Sequence, residues 1–226
     1  MNLQRWVMLL EHHRNMLEVE SGIEPKIIES RGYQSIDRYD LTSHHGFTDI
    51  QKPNGKALLI PMWGLSGEIV GYQMRPDKPF VNKEGKAMKY VSPFNSTNFL
   101  DIHPLMRERL LNPVTSIYIT EGAKKADCFA SLGLPCIALK GVWNWRGKDS
   151  NGQYTALADW HDVPIRGNRF VIVFDNDIYT NRSVNKALKE LKNYLIYKKA
   201  DQVGHMELPY DPTQKIGVDD YLASIR

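Results

Sequence analysis

An α/β fold is expected for this chain: a C-terminal domain with a mainly parallel sheet flanked by helices, preceded by a smaller α+β N-terminal subdomain. Three observations predict it. Residues 170–174, FVIVF, are five consecutive apolar residues, largely β-branched or aromatic, which reads as a strand buried on both faces. Residues 116–120, SIYIT, form a second such strand that runs straight into a helical stretch. From residue 113 onward strand and helix patterns alternate, the arrangement that builds a parallel sheet.

Taken in order, the first twenty residues place Leu3, Trp6, Val7, Leu10 and Leu17 at mixed three- and four-residue steps, an amphipathic helix. Adjacent residues do not share a helix face, so His12 and His13 read as surface or internally satisfied side chains rather than ligands. PKIIESRG is a second short helix, opened by Pro25 at a first-turn position and stopped by Gly32. Residues 57–61 and 68–74 read as an antiparallel hairpin around Gly64, Ser66 and Gly67. The hairpin delivers Arg75, and a basic segment with Lys78, Lys83, Lys86 and Lys89 follows as a solvated loop before Lys89-Tyr90-Val91 returns as an extended piece. PLMRERLL is a helix that ends before Asn112-Pro113, and the boundary between residues 1–112 and 113–226 is drawn there.

In the second half, strand 116–120 leads to a helix over 123–132 with Gly133 as its stop, then to strand 136–139. The polar stretch 146–153 reads as a mobile loop. After the FVIVF strand, Val184, Ala187, Leu188, Leu191 and Leu195 fall on one helical face, with Lys186, Lys189, Lys192 and Lys198 on the other. A short strand over 203–208 and a helix around Tyr221 and Leu222 complete the pattern.

Composition narrows the function classes. No apolar run approaches the eighteen or so residues of a membrane span, and the first twenty residues lack the apolar core and cleavage site of a secretory signal, so a cytoplasmic protein without membrane partners is expected. Cys128 and Cys136 have no CxxC or CxxH neighbour, which excludes a zinc ribbon and leaves small buried hydrophobes. A net charge of +3 is too small to argue for nucleic acid; the clustering of basic residues between 75 and 89 argues for it somewhat more.

The chemistry gathers at strand ends. Asp175 and Asp177 follow the FVIVF strand and Glu121 follows SIYIT, which is where open α/β sheets carry their sites. An acid at such a place also serves as a helix cap or turn former. If the chain stays extended past Phe174, period-two geometry aims Asp175 and Asp177 to the same side. Three converging carboxylates repel one another unless a cation lies between them, and oxygen-only ligands suit Mg²⁺ or Mn²⁺ rather than zinc.

These residues carry a resemblance. IYITEGAKKADCFASLG, IALKG and FVIVFDND resemble a Toprim domain, the metal-binding α/β module of bacterial-type primases, type IA and II topoisomerases and some nucleases, whose hallmark is a Glu after the first strand and Asp-x-Asp after a later one. The closing GVDDYLA is similar to a primase-associated domain of unknown function from plasmid, phage and mobile-element replication proteins. Residues 57–75 and 89–94 resemble the basic subdomain that precedes Toprim in replicative primases. The zinc-binding module and helicase-interacting region of those primases have no counterpart in these residues, and the Asp-Asn-Asp-Ile of the second motif and the lysines after Glu121 depart from their pattern.

The resemblance implies a primase-like nucleotidyltransferase, of DNA-directed RNA polymerase type, that uses Mg²⁺ or Mn²⁺ to make primers on single-stranded DNA from nucleoside triphosphates. Glu121, Asp175 and Asp177 would be catalytic and metal-binding; Arg75 and Lys89 would hold template or triphosphate. Lys124 is the next phosphate candidate, a role its pattern shares with any solvated helix lysine, and Asp219 either adds a metal contact or caps the terminal helix. A replicative helicase or other replication protein would be a partner. The alternatives are a Toprim nuclease and a noncatalytic module that binds DNA or a replication partner. In that last case Trp143 and Trp145 would stack on bases, although a buried aromatic pair has the same spacing. A topoisomerase would need a further domain for strand gating.

Overall fold

The computed structural model describes residues 9–209, 213 and 216–224. Leu3, Trp6 and Val7 of the first expected helix lie outside them. The helix itself begins with α1 (Glu11–Asn15) and passes into a wider π turn over Met16–Glu20. Helix α2 (Pro25–Arg31) starts on Pro25 and ends on Gly32 at φ 84°, the left-handed geometry glycine adopts without strain. Strands β1 (Gln34–Ile36), β2 (Ala57–Trp63) and β3 (Ile69–Pro76) form an antiparallel sheet in that order, with Leu58 opposite Arg75.

The basic segment is partly ordered into a two-stranded ribbon, β4 (Phe80–Val81) and β5 (Ala87–Met88), after which Val91 bridges back to Met74. Strand β6 (Asp101–Ile102) follows, then a 3₁₀ turn over Pro104–Met106 that runs into α3 (Arg107–Leu111), so the expected helix is split by its own Pro104 start.

A five-stranded sheet organises the remainder. It contains β7 (Ile117–Glu121), β8 (Cys136–Leu139), β11 (Arg169–Val173) and β12 (Gln202–His205) in parallel, ordered β12-β11-β7-β8, with β6 antiparallel on the β8 edge. Between β8 and β11 the stretch expected to be a mobile loop forms an antiparallel ribbon instead, β9 (Arg146–Lys148) with β10 (Tyr154–Ala156). Arg146 sits over the rings of Trp143, Trp145 and Tyr154 and pairs with Glu190, which gives this polar sequence an internal reason to be ordered.

Both faces of the sheet are covered. Ile117, Ile119, Phe170 and Ile172 pack with Val184, Leu188, Leu191 and Leu195 of α5 (Arg182–Tyr197), which Asn181 caps through the amides of Ser183 and Val184. Ala138 and Val173 turn to the other face, where they meet α4 (Ala123–Ser131) and α6 (Val218–Ser224) through Ala126, Phe129 and Val218. Each fully buried side chain of the Leu, Ile or Phe kind contributes about 1.5–3 kcal/mol, so this double burial dominates the sheet's stability. A further apolar cluster joins Leu58, Ile60 and Met62 of β2 to Ala123, Cys128 and Ala130 of α4, so the antiparallel sheet and the parallel sheet share a core across α4. Cys128 and Cys136 are free and buried, as their spacing predicts.

At the same seam lies Arg31, wholly buried. Its guanidinium takes Asp127 of α4 side-on, Nε to Oδ2 at 2.6 Å and Nη2 to Oδ1 at 2.7 Å, and reaches Asp101 of β6 at 2.9 Å. Tyr33 Oη donates to Asp127 at 2.7 Å, and the Trp63 amide donates to Asp101 at 2.8 Å.

Candidate active site

Chain order explains where the acids stand. After β7 the chain moves through α4 to β8 on one side, then returns to place β11 on the other side of β7. The two crossovers diverge at the β7–β11 pair, and such a reversal opens a crevice at the strands' carboxyl ends. Glu121 ends β7 and Asp175 follows β11 by two residues, with Thr120 and Val173 in register between the strands. Both acids therefore stand at this crevice, at strand ends as the sequence predicts, and on neighbouring strands, which the sequence leaves open.

Past Phe174 the extended geometry stops. Asp175 is the residue before a 3₁₀ turn over Asn176–Tyr179, so Asp177 stands in the first turn of a helix rather than two steps along a strand. The cause is Asn176, buried at the strand end. Its Oδ1 accepts the Ile216 amide at 2.8 Å, its own amide donates to Ile216 O at 3.1 Å, and its Nδ2 donates to Pro209 O. Asn176 thus latches the segment before α6 to the end of β11. That latch brings Asp219 to the site, and sequence reading missed it; an amide residue held between two acids at a strand end was the available signal.

Gly122 turns β7 directly into α4. Its φ of +90° is a conformation that glycine alone adopts freely, and its amide donates to Leu139 O. The turn sets Lys124 and Lys125 in the first turn of α4, where the helix dipole disfavours cations. Carboxylates offset that cost. Lys125 Nζ pairs with Asp175 Oδ1, and Lys124 Nζ lies 2.8 Å from Asp219 Oδ2 while also donating to Ser21 Oγ. Burial alone would pull the Lys124 ammonium down, but Asp219 outweighs it and holds its pKa above the ordinary lysine value. Burial likewise pushes the Asp219 carboxyl up, and Lys124 with Lys125 brings it below the usual carboxylate range. Cations expected from solution to relieve the acids' repulsion are, in this structure, supplied in part by the chain itself. Gly217 is needed for closeness: a Cβ there would stand 2.5 Å from Asp219 Oδ1 and 3.1 Å from Lys125 Cε.

The basic residues occupy a neighbouring edge. Arg75, half-buried at the exit of β3, donates to Met16 Sδ and lies over the Tyr90 ring, whose hydroxyl is close enough to Lys124 to raise its pKa. Lys89 is exposed beside Tyr90. Arg75, Tyr90, Lys124 and Asp219 thus follow one another from the antiparallel sheet to the acids. Lys124 itself is engaged by Asp219, so contact with a phosphate requires that pair to open. Trp145 is buried and Trp143 donates to Ser183 Oγ, so the pair belongs to the packing of the β9–β10 ribbon. A cavity of about 360 Å³ lies between that ribbon and α5, lined by Arg146, Tyr154 and Tyr194 among others, with no carboxylate on its wall.

An antiparallel sheet thus packs through one helix onto a mainly parallel sheet, with acids at its switch point. The structure is similar to the Aquifex aeolicus primase, solved with its zinc-binding and RNA polymerase domains, at a TM-score of 0.63 and 14% identity over 95% of this chain and 53% of that one. It is also similar to the RNA polymerase domain of the Mycobacterium tuberculosis primase DnaG, at a TM-score of 0.52 and 13% identity over 88% of this chain and 69% of that one. The chain thus spans about half the length of the Aquifex structure. Residues 109–225, just over half of the chain, match the family described as domain of unknown function DUF3854, and the chain belongs to that family. No curated protein matches the sequence. Among the described residues, no helix is long and apolar enough to cross a membrane.

Proposed function

We propose that this chain is a primase-like nucleotidyltransferase whose second half, from residue 113, is a Toprim domain acting with Mg²⁺ or Mn²⁺ on single-stranded DNA and nucleoside triphosphates. One observation carries the reading: Glu121 and Asp175 end adjacent parallel strands at the switch point, and Asp175 and Asp219 each already hold a lysine ammonium. A divalent ion fits such a place, because the donors are oxygens and the carboxylates are arranged to accept positive charge. Bound there, it would neutralise the triphosphate and the leaving pyrophosphate. Glu121, Asp175, Asp177 and Asp219 are the residues that would hold it.

The chain's own part is placement and proton handling. Glu121, on the rigid end of β7, either holds an ion or accepts the proton of the attacking 3′-hydroxyl. Arg75 and Lys89 steady the template or the triphosphate from the antiparallel sheet, and a helicase or other replication protein delivers the strand. Incubation with labelled nucleotides, single-stranded DNA and either metal, followed by sizing, tests the reading. Products longer than a nucleotide support it; shortening of the DNA points to a nuclease, and neither outcome with DNA still bound points to a noncatalytic module.

A further inference from the structure

Away from the acids, three ligating side chains meet from distant parts of the chain. His12 Nε2 lies 2.9 Å from Asp77 Oδ2 and His13 Nε2 lies 2.8 Å from Asp77 Oδ1. Their ligand atoms all fall within 4.8 Å of one another. Adjacent residues on a helix diverge, yet here one carboxylate spans both imidazoles, whose ring centroids are 4.1 Å apart. His13 is fully buried and its remaining nitrogen, Nδ1, is 2.7 Å from Ser35 Oγ, which also accepts the Leu10 amide. A hydroxyl can donate to Nδ1 or accept from it. Without an ion, Nε2–H donates to Asp77 and the Ser35 hydroxyl donates to Nδ1; an ion that takes the Nε2 lone pair shifts the proton to Nδ1, where Ser35 Oγ can accept it, the support that a ligating histidine needs.

We infer that His12, His13 and Asp77 form a binding site for a divalent transition-metal ion of the Zn²⁺ class. Two imidazoles and a carboxylate favour such an ion over Mg²⁺, which takes oxygen. Ligand atoms about 2.0–2.1 Å from a tetrahedral ion stand roughly 3.3 Å apart, so each histidine–carboxylate contact opens by about half an ångström to admit one. Three protein ligands leave a fourth position for water, on the side where the His12 side chain is 55% exposed. The ion would clasp α1 to the exit of β3, beside Arg75 and at the root of the basic segment.

Untagged full chain titrated with Zn²⁺ alone, and separately with Co²⁺ alone, tests this. One equivalent of Zn²⁺ is expected to bind in the presence of excess Mg²⁺, and bound Co²⁺ to show the visible absorption of a four- or five-coordinate site. His12→Ala and Asp77→Asn, both at partly exposed side chains, should each lower Zn²⁺ affinity at least tenfold, Ser35→Ala about 10- to 100-fold, and His161→Ala not at all. Circular dichroism confirms that the variants are folded. Absence of stoichiometric Zn²⁺ uptake overturns the inference, and so does uptake that His12→Ala and Asp77→Asn leave unchanged.

Discussion

Helix α4 carries members of two charged clusters built from the same chemistry and put to opposite use. On one side Asp127 is clamped by Arg31, both side chains at 0% exposure, with Asp101, Tyr33 and the Trp63 amide completing the set. At its start Lys124 and Lys125, at 15% and 17%, each touch a carboxylate by one flexible ammonium at the mouth of the crevice. A guanidinium binding side-on fixes its partner's orientation, whereas an ammonium is a point charge on a long stem that another cation can replace. The first cluster fastens the two sheets together. The second holds its carboxylates against replaceable cations without locking them.

The contrast is broken most forcefully at Arg31. Arg31→Met leaves Asp101 and Asp127 buried without a cation and should cost about 3–5 kcal/mol in denaturant unfolding; a loss under about 1 kcal/mol would show that the cluster does not hold the sheets. At the other cluster the large effect should fall on chemistry. Asp175→Asn or Asp177→Asn should take nucleotide incorporation to background while the chain stays folded, since an asparagine Oδ1 at 175 still accepts from the Lys125 ammonium. Full activity of both at limiting Mg²⁺ would remove them from the metal site.

A pH series sharpens the comparison further. The depressed carboxyl of Asp219 contributes stability that is present above its unfolded value near 3.9 and is lost as pH falls through the lower folded value; the raised ammonium of Lys124 contributes below about 10.4 and is lost as pH rises through its folded value. Parent and Asp219→Asn unfolding curves should therefore differ most between roughly pH 4 and 10 and converge in acid. A constant offset down to the lowest pH would mean that the asparagine acts through packing. The smallest effect concerns the basic edge, where replacing Arg75 and Lys89 by Ala should flatten the salt dependence of single-stranded DNA binding by about 0.7 in log-log slope for each phosphate that is no longer neutralised. Identical slopes would place the strand elsewhere.

What sequence could show was what local pattern determines. Runs such as FVIVF, the α5 periodicity and the Pro25 and Gly32 helix ends encode their elements within a few residues and put Glu121 and Asp175 at strand ends; that those strands are neighbours is a matter of sheet order, which no local pattern carries. Strand β6 was invisible because its two residues carry no periodicity and gain their pairing only from β8. The β9–β10 ribbon was read as a loop since Arg146 and the aromatic rings around it replace an apolar pattern. The turn that carries Asp177 off the strand depends on Ile216, forty residues on. For His12 and His13 the rule that neighbours do not share a helix face held for the helix and failed for the site, because a two-oxygen acceptor from residue 77 bridges them.

Arg31 meets Asp101 and Asp127 across separations of 70 and 96 residues. That geometry restricts inheritance as well as packing. The second half of this chain cannot be exchanged freely for a relative's by recombination near residue 112, because the incoming front half has to bring an arginine at this depth and an acid on β6, and the retained half has to present its own acid at the matching turn of α4. Otherwise the hybrid seals an unpaired charge into the junction. The two halves are therefore expected to descend as a unit, their charge pattern changing together or not at all.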